Sequence, residues 1–340
     1  MTAAVGDAAP ASAELAAPLL SVDRLSVRFL LGRKGKRGEV RAVTDVSFDL
    51  RPGQLLTLVG ESGCGKSVLA SALLGLLPGN ARLRGAATLS TSDSDPVELV
   101  SAAESVLAGR VRGRLVGLVP QSSATHLTPV RTARSQLLET VRALRPGVDD
   151  PAGLVEHLAE RVGLEPAVLD RYPHELSGGT AQRVAVALAL AGDPPVVLAD
   201  EPTTGLDRPL VDRTVDLLAG LAEEGRAVLM ITHDLAAARR VATDVAVMYA
   251  SRLVELGPAD RVFADPWHPY TAGLLGALPE GGFTPIPGHP PELTALPDGC
   301  AFAPRCALLA GGGPERDARC TGAPELVRHG DRAVACRRPC

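Results

Sequence analysis

Apolar positions along the chain follow two periods. Residues 22–29 and 46–50 carry strand-like runs, with a basic, glycine-containing turn between them. Residues 55–59 form a short, mostly apolar run, as expected of a strand buried on both faces. A glycine-rich turn follows, and a helical pattern covers 66 to about 77. Residues 86–119 are mixed, with strand-like pieces. From about 128 to 169 the helical period takes over: Leu137, Leu138 and Val141 share one face, and Leu154, Leu158 and Val162 another. Residues 196–199, 227–231 and 245–249 again read as buried strands. Strands alternating with helices predict an α/β fold with a mostly parallel sheet covered on both faces. Beyond about Phe263 proline and glycine become frequent and the periodicity fades, which predicts a small separate appendage.

Composition narrows the class. The chain has 340 residues, 46% of them hydrophobic, enough for one large α/β domain plus the appendage. A net charge of −4 gives no general basic field for nucleic acid. The basic run 33–37 reads as a solvated loop. No stretch of about 18 uninterrupted apolar residues occurs, so nothing is expected to span a membrane. Residues 1–19 lack a basic start and carry Asp7 and Glu14, so they read as a disordered tail rather than a secretion signal. A cytosolic location follows as an expectation, with the cysteines kept reduced. Lysine occurs only at Lys34, Lys36 and Lys66 against an arginine-rich background, which singles out Lys66.

That lysine closes Gly60-Glu-Ser62-Gly63-Cys64-Gly65-Lys66-Ser67, a full match to G-x-x-x-x-G-K-[ST]. Glycines let the backbone curl its N–H groups inward on phosphate oxygens, and the following helix adds its positive end. Lys66 then neutralises the β- and γ-phosphates, and the Ser67 hydroxyl ligates Mg²⁺. Cys64 fits there as a small spacer. At 196–201 an apolar strand ends in Asp200 and Glu201, where α/β sheets place ligands. Asp200 suits Mg²⁺, and Glu201 suits a general base on the attacking water.

Those two motifs define a P-loop NTPase. Leu176-Ser177-Gly178-Gly179-Thr180-Ala-Gln-Arg183 resembles the signature of ABC ATPases, a second anion site built from a capping serine and exposed glycine amides. The remaining family pattern follows in order. Gln121 resembles the Q-loop glutamine that senses Mg²⁺, Asp207 the D-loop aspartate, and His233 the switch histidine that contacts γ-phosphate. Phe29 stands where the family stacks an aromatic on adenine. Thr180 replaces a more usual Gln or Met, and Ser-Ser-Ala follows Gln121 in place of an acidic, proline-containing run. The resemblance implies an ABC cassette over 20–262: a RecA-like core, an antiparallel β subdomain and a helical subdomain at about 125–180. It also implies two cassettes packed head to tail, each ATP lying between one phosphate loop and the opposite signature.

Two further stretches resemble dipeptide/oligopeptide importer ATPases: the phosphate loop running on into Val68, and Pro-Trp-His-Pro-Tyr-Thr at 266–271 with Gly-Cys-Ala-Phe-Ala-Pro-Arg-Cys at 299–306. They imply that 263–340 is the irregular C-terminal extension of that group, and that the chain hydrolyses ATP to drive peptide import. The implied partners are two permease subunits, a second ATPase subunit (identical or paralogous) and an extracytoplasmic substrate-binding protein, with no nucleic acid. The implied location is the cytoplasmic face of the membrane. Nickel and metallophore importers share this architecture and stay open as the alternative cargo; a soluble, non-transport ABC ATPase is a further alternative. Cys300, Cys306, Cys320, Cys336 and Cys340 crowd the extension. Ligation of a [4Fe-4S] cluster or Zn²⁺ by the first four, and a proline-rich tail of reduced thiols, are both open readings.

Overall fold

The computed structural model describes residues 16–33, 36–92, 94–309 and 320–337. Most of the expected N-terminal tail, and Cys340, lie outside the described residues. Strands β1 (Leu20–Arg33) and β2 (Lys36–Leu50) run antiparallel, and β3 (Leu55–Val59) leaves them for the central sheet. Strands β4 (Ala81–Thr91) and β5 (Ser94–Glu98) return, completing a four-stranded sheet in the order β2-β1-β4-β5. The mixed pattern of 86–119 is thus a hairpin, a short helical turn, and β6 (Val116–Val119).

The central sheet takes β7 (Val196–Asp200), β8 (Ala227–Thr232) and β9 (Asp244–Tyr249) in parallel around β3, with β6 at one edge. All five residues of β3 and all six of β8 are buried, which explains their nearly unbroken apolar runs. Helices Ala133–Leu144 and Pro151–Arg161 pack with Gly178–Leu190, through Leu137, Val141, Val155 and Leu158. The helix after the glycine-rich turn spans Lys66–Leu73, shorter than its apolar pattern predicts. Gly75 adopts φ 63°, a left-handed conformation that ends a helix cheaply only at glycine.

The extension does not stand apart. Strand β10 (Arg252–Pro258) pairs with β9, and β11 (Val327–His329) and β12 (Arg332–Val334) add to it through Glu255↔Val334 and Leu256↔Ala333. Helices Ala259–Ala264 and Pro269–Gly276 cover this edge around Tyr249, Tyr270 and Phe302. The three aromatic rings pack against one another within a cluster that also takes Val247, Val254 and Val262. Among the described residues no helix is long and apolar enough to cross a membrane.

Candidate nucleotide site

Strand register assembles the site. Val59 lies opposite Thr232 across β3 and β8, and Asp200 opposite Ile231 across β7 and β8. The three strands therefore end level, and the residues that follow them (Gly60, His233 and Glu201) meet at one edge of the sheet. The phosphate loop turns there into helix Lys66–Leu73 through Gly65, at φ 113°. A Cβ on Gly65 would strike the Ala42 carbonyl, so the loop is seated against β2.

Lys66 is buried, and its Nζ donates to the carbonyls of Gly60 (2.7 Å) and Glu61 (3.1 Å). Cys64 is buried beneath it, and burial pushes its thiol pKa up against the opposing Lys66 charge. The Ser67 hydroxyl donates to Asp200 Oδ1 at 2.9 Å. Burial, with a smaller contribution from Glu201, raises the Asp200 carboxyl above its ordinary value; the Ser67 hydrogen bond and the Lys66 charge oppose it. Two oxygen ligands suited to Mg²⁺ thus stand side by side at the start of the helix.

Glu201 is buried, at φ 49°, and its amide donates to the Ile231 carbonyl at 2.9 Å. Its Oε2 lies 2.6 Å from His233 Nδ1 and accepts from the Thr204 hydroxyl at 3.4 Å. The carboxylate is thereby aimed across the strand ends, while the His233 side chain stays 65% exposed and open to a ligand.

Ser177, Gly178 and Gly179 form a second group. Ser177 caps helix Gly178–Leu190, its Oγ accepting from the Thr180 amide at 3.2 Å. Thr180 adds a hydroxyl contact to Ser177 at 2.7 Å, so the departure from the usual residue reinforces the cap. Gly179 leaves room for Leu210, in helix Arg208–Glu223, which Asp207 caps. The signature therefore packs on the helix that Asp207 caps. No hydrogen bond among the described residues joins Ser177 to the phosphate loop. Gln121 is exposed after β6, and the following Ser123 is buried against Gln182 of the signature helix. Phe29, on β1, packs half-buried against the core below the antiparallel sheet.

A family model described as "ABC transporter" matches residues 43–204, and one described as "Oligopeptide/dipeptide transporter, C-terminal region" matches 254–310. The oligopeptide transport ATP-binding protein OppD of Haemophilus influenzae is 38% identical over 320 residues, 91% of this chain and 94% of that one. The chain belongs to the ABC transporter ATP-binding proteins, in their oligopeptide/dipeptide group. OppD of Mycobacterium tuberculosis is 39% identical over 333 residues, 94% of this chain but 52% of that one. The chain thus spans about half the length of the first curated relatives it matches. The ATP-binding cassette MJ0796, solved as a dimer in a post-hydrolysis state with ADP and Pi, is 23% identical with a TM-score of 0.59, covering 71% of this chain and 98% of that one. It shows the shared fold.

In this ABC protein the extension's cysteines form no disulfide among the described residues. The Cys300 amide donates to the Cys320 carbonyl at 3.0 Å, and burial raises the Cys300 thiol pKa, with smaller raising effects from Cys320 and Cys306. Among the described residues no group of three or more His, Cys, Asp or Glu is placed to hold a metal ion. Sequence reasoning missed that Tyr270 and Arg305 meet Glu61 behind the phosphate loop. Each lay inside a quoted motif, but nothing local signals that they meet.

Proposed function

We propose that the chain binds ATP with Mg²⁺ and hydrolyses it, as an energising subunit of an ABC importer for dipeptides or oligopeptides. The observation that carries this is the convergence of Lys66, the Ser67–Asp200 pair and the Glu201–His233 pair at one sheet edge. Backbone amides of the loop after Glu61, together with Lys66, hold the phosphates. Ser67 and Asp200, with Gln121, would hold Mg²⁺, which supplies charge neutralisation at the β- and γ-oxygens. Glu201 takes the proton of the attacking water as its oxygen bonds to the γ-phosphorus. The β–γ bridging bond breaks, leaving ADP and inorganic phosphate. His233 holds the Glu201 carboxylate in line and faces the γ-phosphate; Phe29 stacks on adenine.

Ser177, Gly178 and Gly179, which make no hydrogen bond to their own chain's phosphate loop among the described residues, serve the nucleotide of a second ATPase subunit, with Asp207 crossing between the two. Two permease subunits receive the motion through the surface at Gln121, and an extracytoplasmic binding protein delivers peptide. The chain then works at the cytoplasmic face of the membrane, peripherally. Support for a peptide cargo is the match of 254–310 to the oligopeptide/dipeptide extension.

Glu201→Gln tests the reading. It is expected to keep ATP binding, lose hydrolysis and accumulate an ATP-bound dimer visible by size-exclusion chromatography. Normal turnover in that variant would remove Glu201 from the base role. Lys66→Ala is expected to weaken ATP binding itself.

A [4Fe-4S] cluster or Zn²⁺ on Cys300, Cys306, Cys320 and Cys336 is proposed on a narrower footing. Its support is the crowding of these cysteines in the extension and the fit of thiolates to both groups; the described residues do not stand in a ligating arrangement, so binding would require them to draw together. Iron, zinc and acid-labile sulfide assays decide it; a colourless, metal-free and active protein ends the idea.

A further inference from the structure

The hydrolytic chemistry does not use Glu61, yet every polar group of that residue is engaged. Its carbonyl accepts from Lys66 Nζ at 3.1 Å and from the Cys64 amide at 3.4 Å. Its amide donates outward to Tyr270 Oη at 2.9 Å. Its carboxylate takes both terminal nitrogens of Arg305, Nη1 to Oε2 at 2.9 Å and Nη2 to Oε1 at 3.0 Å. The inward contacts belong to the phosphate loop, and the outward ones all belong to the C-terminal extension.

The outward partners are themselves held rigidly. Tyr270 is fully buried, its ring 4.4 Å from that of Tyr249 and 5.4 Å from that of Phe302, centroid to centroid. The Arg305 side chain is only 6% exposed, its Nε donating to the Pro287 carbonyl at 2.9 Å and its Nη1 to Tyr249 Oη at 3.3 Å. A bidentate guanidinium–carboxylate pair fixes orientation as well as distance. Mere packing of an appendage on the cassette needs no such aim at the second residue of the phosphate loop.

We infer that the C-terminal extension sets the shape of the phosphate loop, with Arg305 and Tyr270 as positioning residues acting through Glu61 on the carbonyls that hold Lys66. The inference rests on reading that loop as the ATP site. Without Arg305 the Glu61 carboxylate is left half-buried and unpaired. Without the Tyr270 hydroxyl the Glu61 amide has no acceptor. In both cases residues 60 and 61 lose the restraint that keeps Lys66 aimed, and nucleotide affinity falls before turnover does.

The test compares the full chain carrying Arg305→Gln, Arg305→Lys, Tyr270→Phe, Glu61→Gln and the double change Glu61→Gln with Arg305→Gln. KM for MgATP, kcat and melting temperature are measured for each. Arg305→Gln and Tyr270→Phe are expected to raise KM about tenfold with kcat nearly unchanged, the signature of binding lost equally from ground state and transition state. The double variant should be no worse than Glu61→Gln alone, since both changes break one interaction. Arg305→Lys should recover part of the loss, because it keeps the charge but not the fork. An unchanged KM in Arg305→Gln or Tyr270→Phe, or additive losses in the double variant, overturns the inference. Should Arg305→Gln fail to fold, Tyr270→Phe decides alone. Lys66→Ala separates the two levels: if it binds MgATP normally, the ATP-site reading fails, whereas loss there with normal KM in Arg305→Gln sinks only the positioning role.

Discussion

Glu201 occupies a left-handed backbone conformation, φ 49°, although it carries a side chain. Such a residue costs on the order of 1–3 kcal/mol and persists only where its surroundings hold it. Here the Ile231 carbonyl holds the amide, and His233 holds the carboxylate. The strain turns the carboxylate across the strand ends, so under the proposed role as general base, catalysis and stability pull apart at this position. Glu201→Gly is expected to abolish ATP hydrolysis while leaving the chain as stable or about 1 kcal/mol more stable, because glycine is unstrained there. Urea denaturation beside an ATPase assay checks both halves. Lys66, Ser67, Asp200 and Glu201 were legible in the sequence because glycine spacing and a strand ending in carboxylates are local features. Arg305 was not, since its partner lies 244 residues away.

Among the elements, helix Pro269–Gly276 shows how the extension's motif works locally. Pro269 occupies its first turn, and the His268 Nδ1 accepts from the Tyr270 amide at 3.0 Å. His268 is almost wholly buried beside the Phe302 ring, and burial lowers its pKa to about 4 from an ordinary 6.5. Its neutral form is therefore the folded form. The unfolded chain takes up a proton as pH falls through 6.5, and the folded chain does so only near 4, so stability is lost as pH falls across that window. Thermal melting is expected to drop between pH 6.5 and 4 in the wild-type chain. His268→Asn, which still caps but does not titrate, should flatten that part of the curve. Strands and helix faces such as β3 and Leu137–Val141 could be placed from periodicity. The early end of helix Lys66–Leu73 could not, because Leu74, Leu76 and Leu77 continue the apolar pattern while Gly75 breaks the backbone.

At the scale of the whole molecule, the extension and the cassette share one sheet. Glu255, on β10, is completely buried, and its carboxylate accepts from the Trp267 and His268 amides at 2.8 and 2.9 Å. Arg332, on β12, pairs with it at 2.7 Å, and its guanidinium lies 3.8 Å from the centre of the Trp267 ring. Removing one member of a buried pair leaves the other charged and desolvated. Arg332→Ala is therefore expected to cost about 3–5 kcal/mol and to expose the C-terminal strands to limited proteolysis. A melting curve unchanged from wild type would count against this pair as the fastening of β12. The change of texture near Phe263 predicted an appendage. The edge of the sheet overrides that texture, since β10 offers free backbone groups that β12 satisfies.

The sequence by itself determined the chemistry-bearing segments: the phosphate loop, the paired carboxylates, the signature cap at Ser177, and the α/β alternation that supports them. These depend on backbone conformation, helix ends and strand burial, which act over a few neighbouring residues. Tertiary structure alone decided which strand ends lie level, and so which of Gly60, Glu201 and His233 meet. It also decided that an arginine and a tyrosine of the extension grip Glu61. Ion pairing and ring packing impose no spacing along the chain, so they become visible only once the sheet has brought distant segments together.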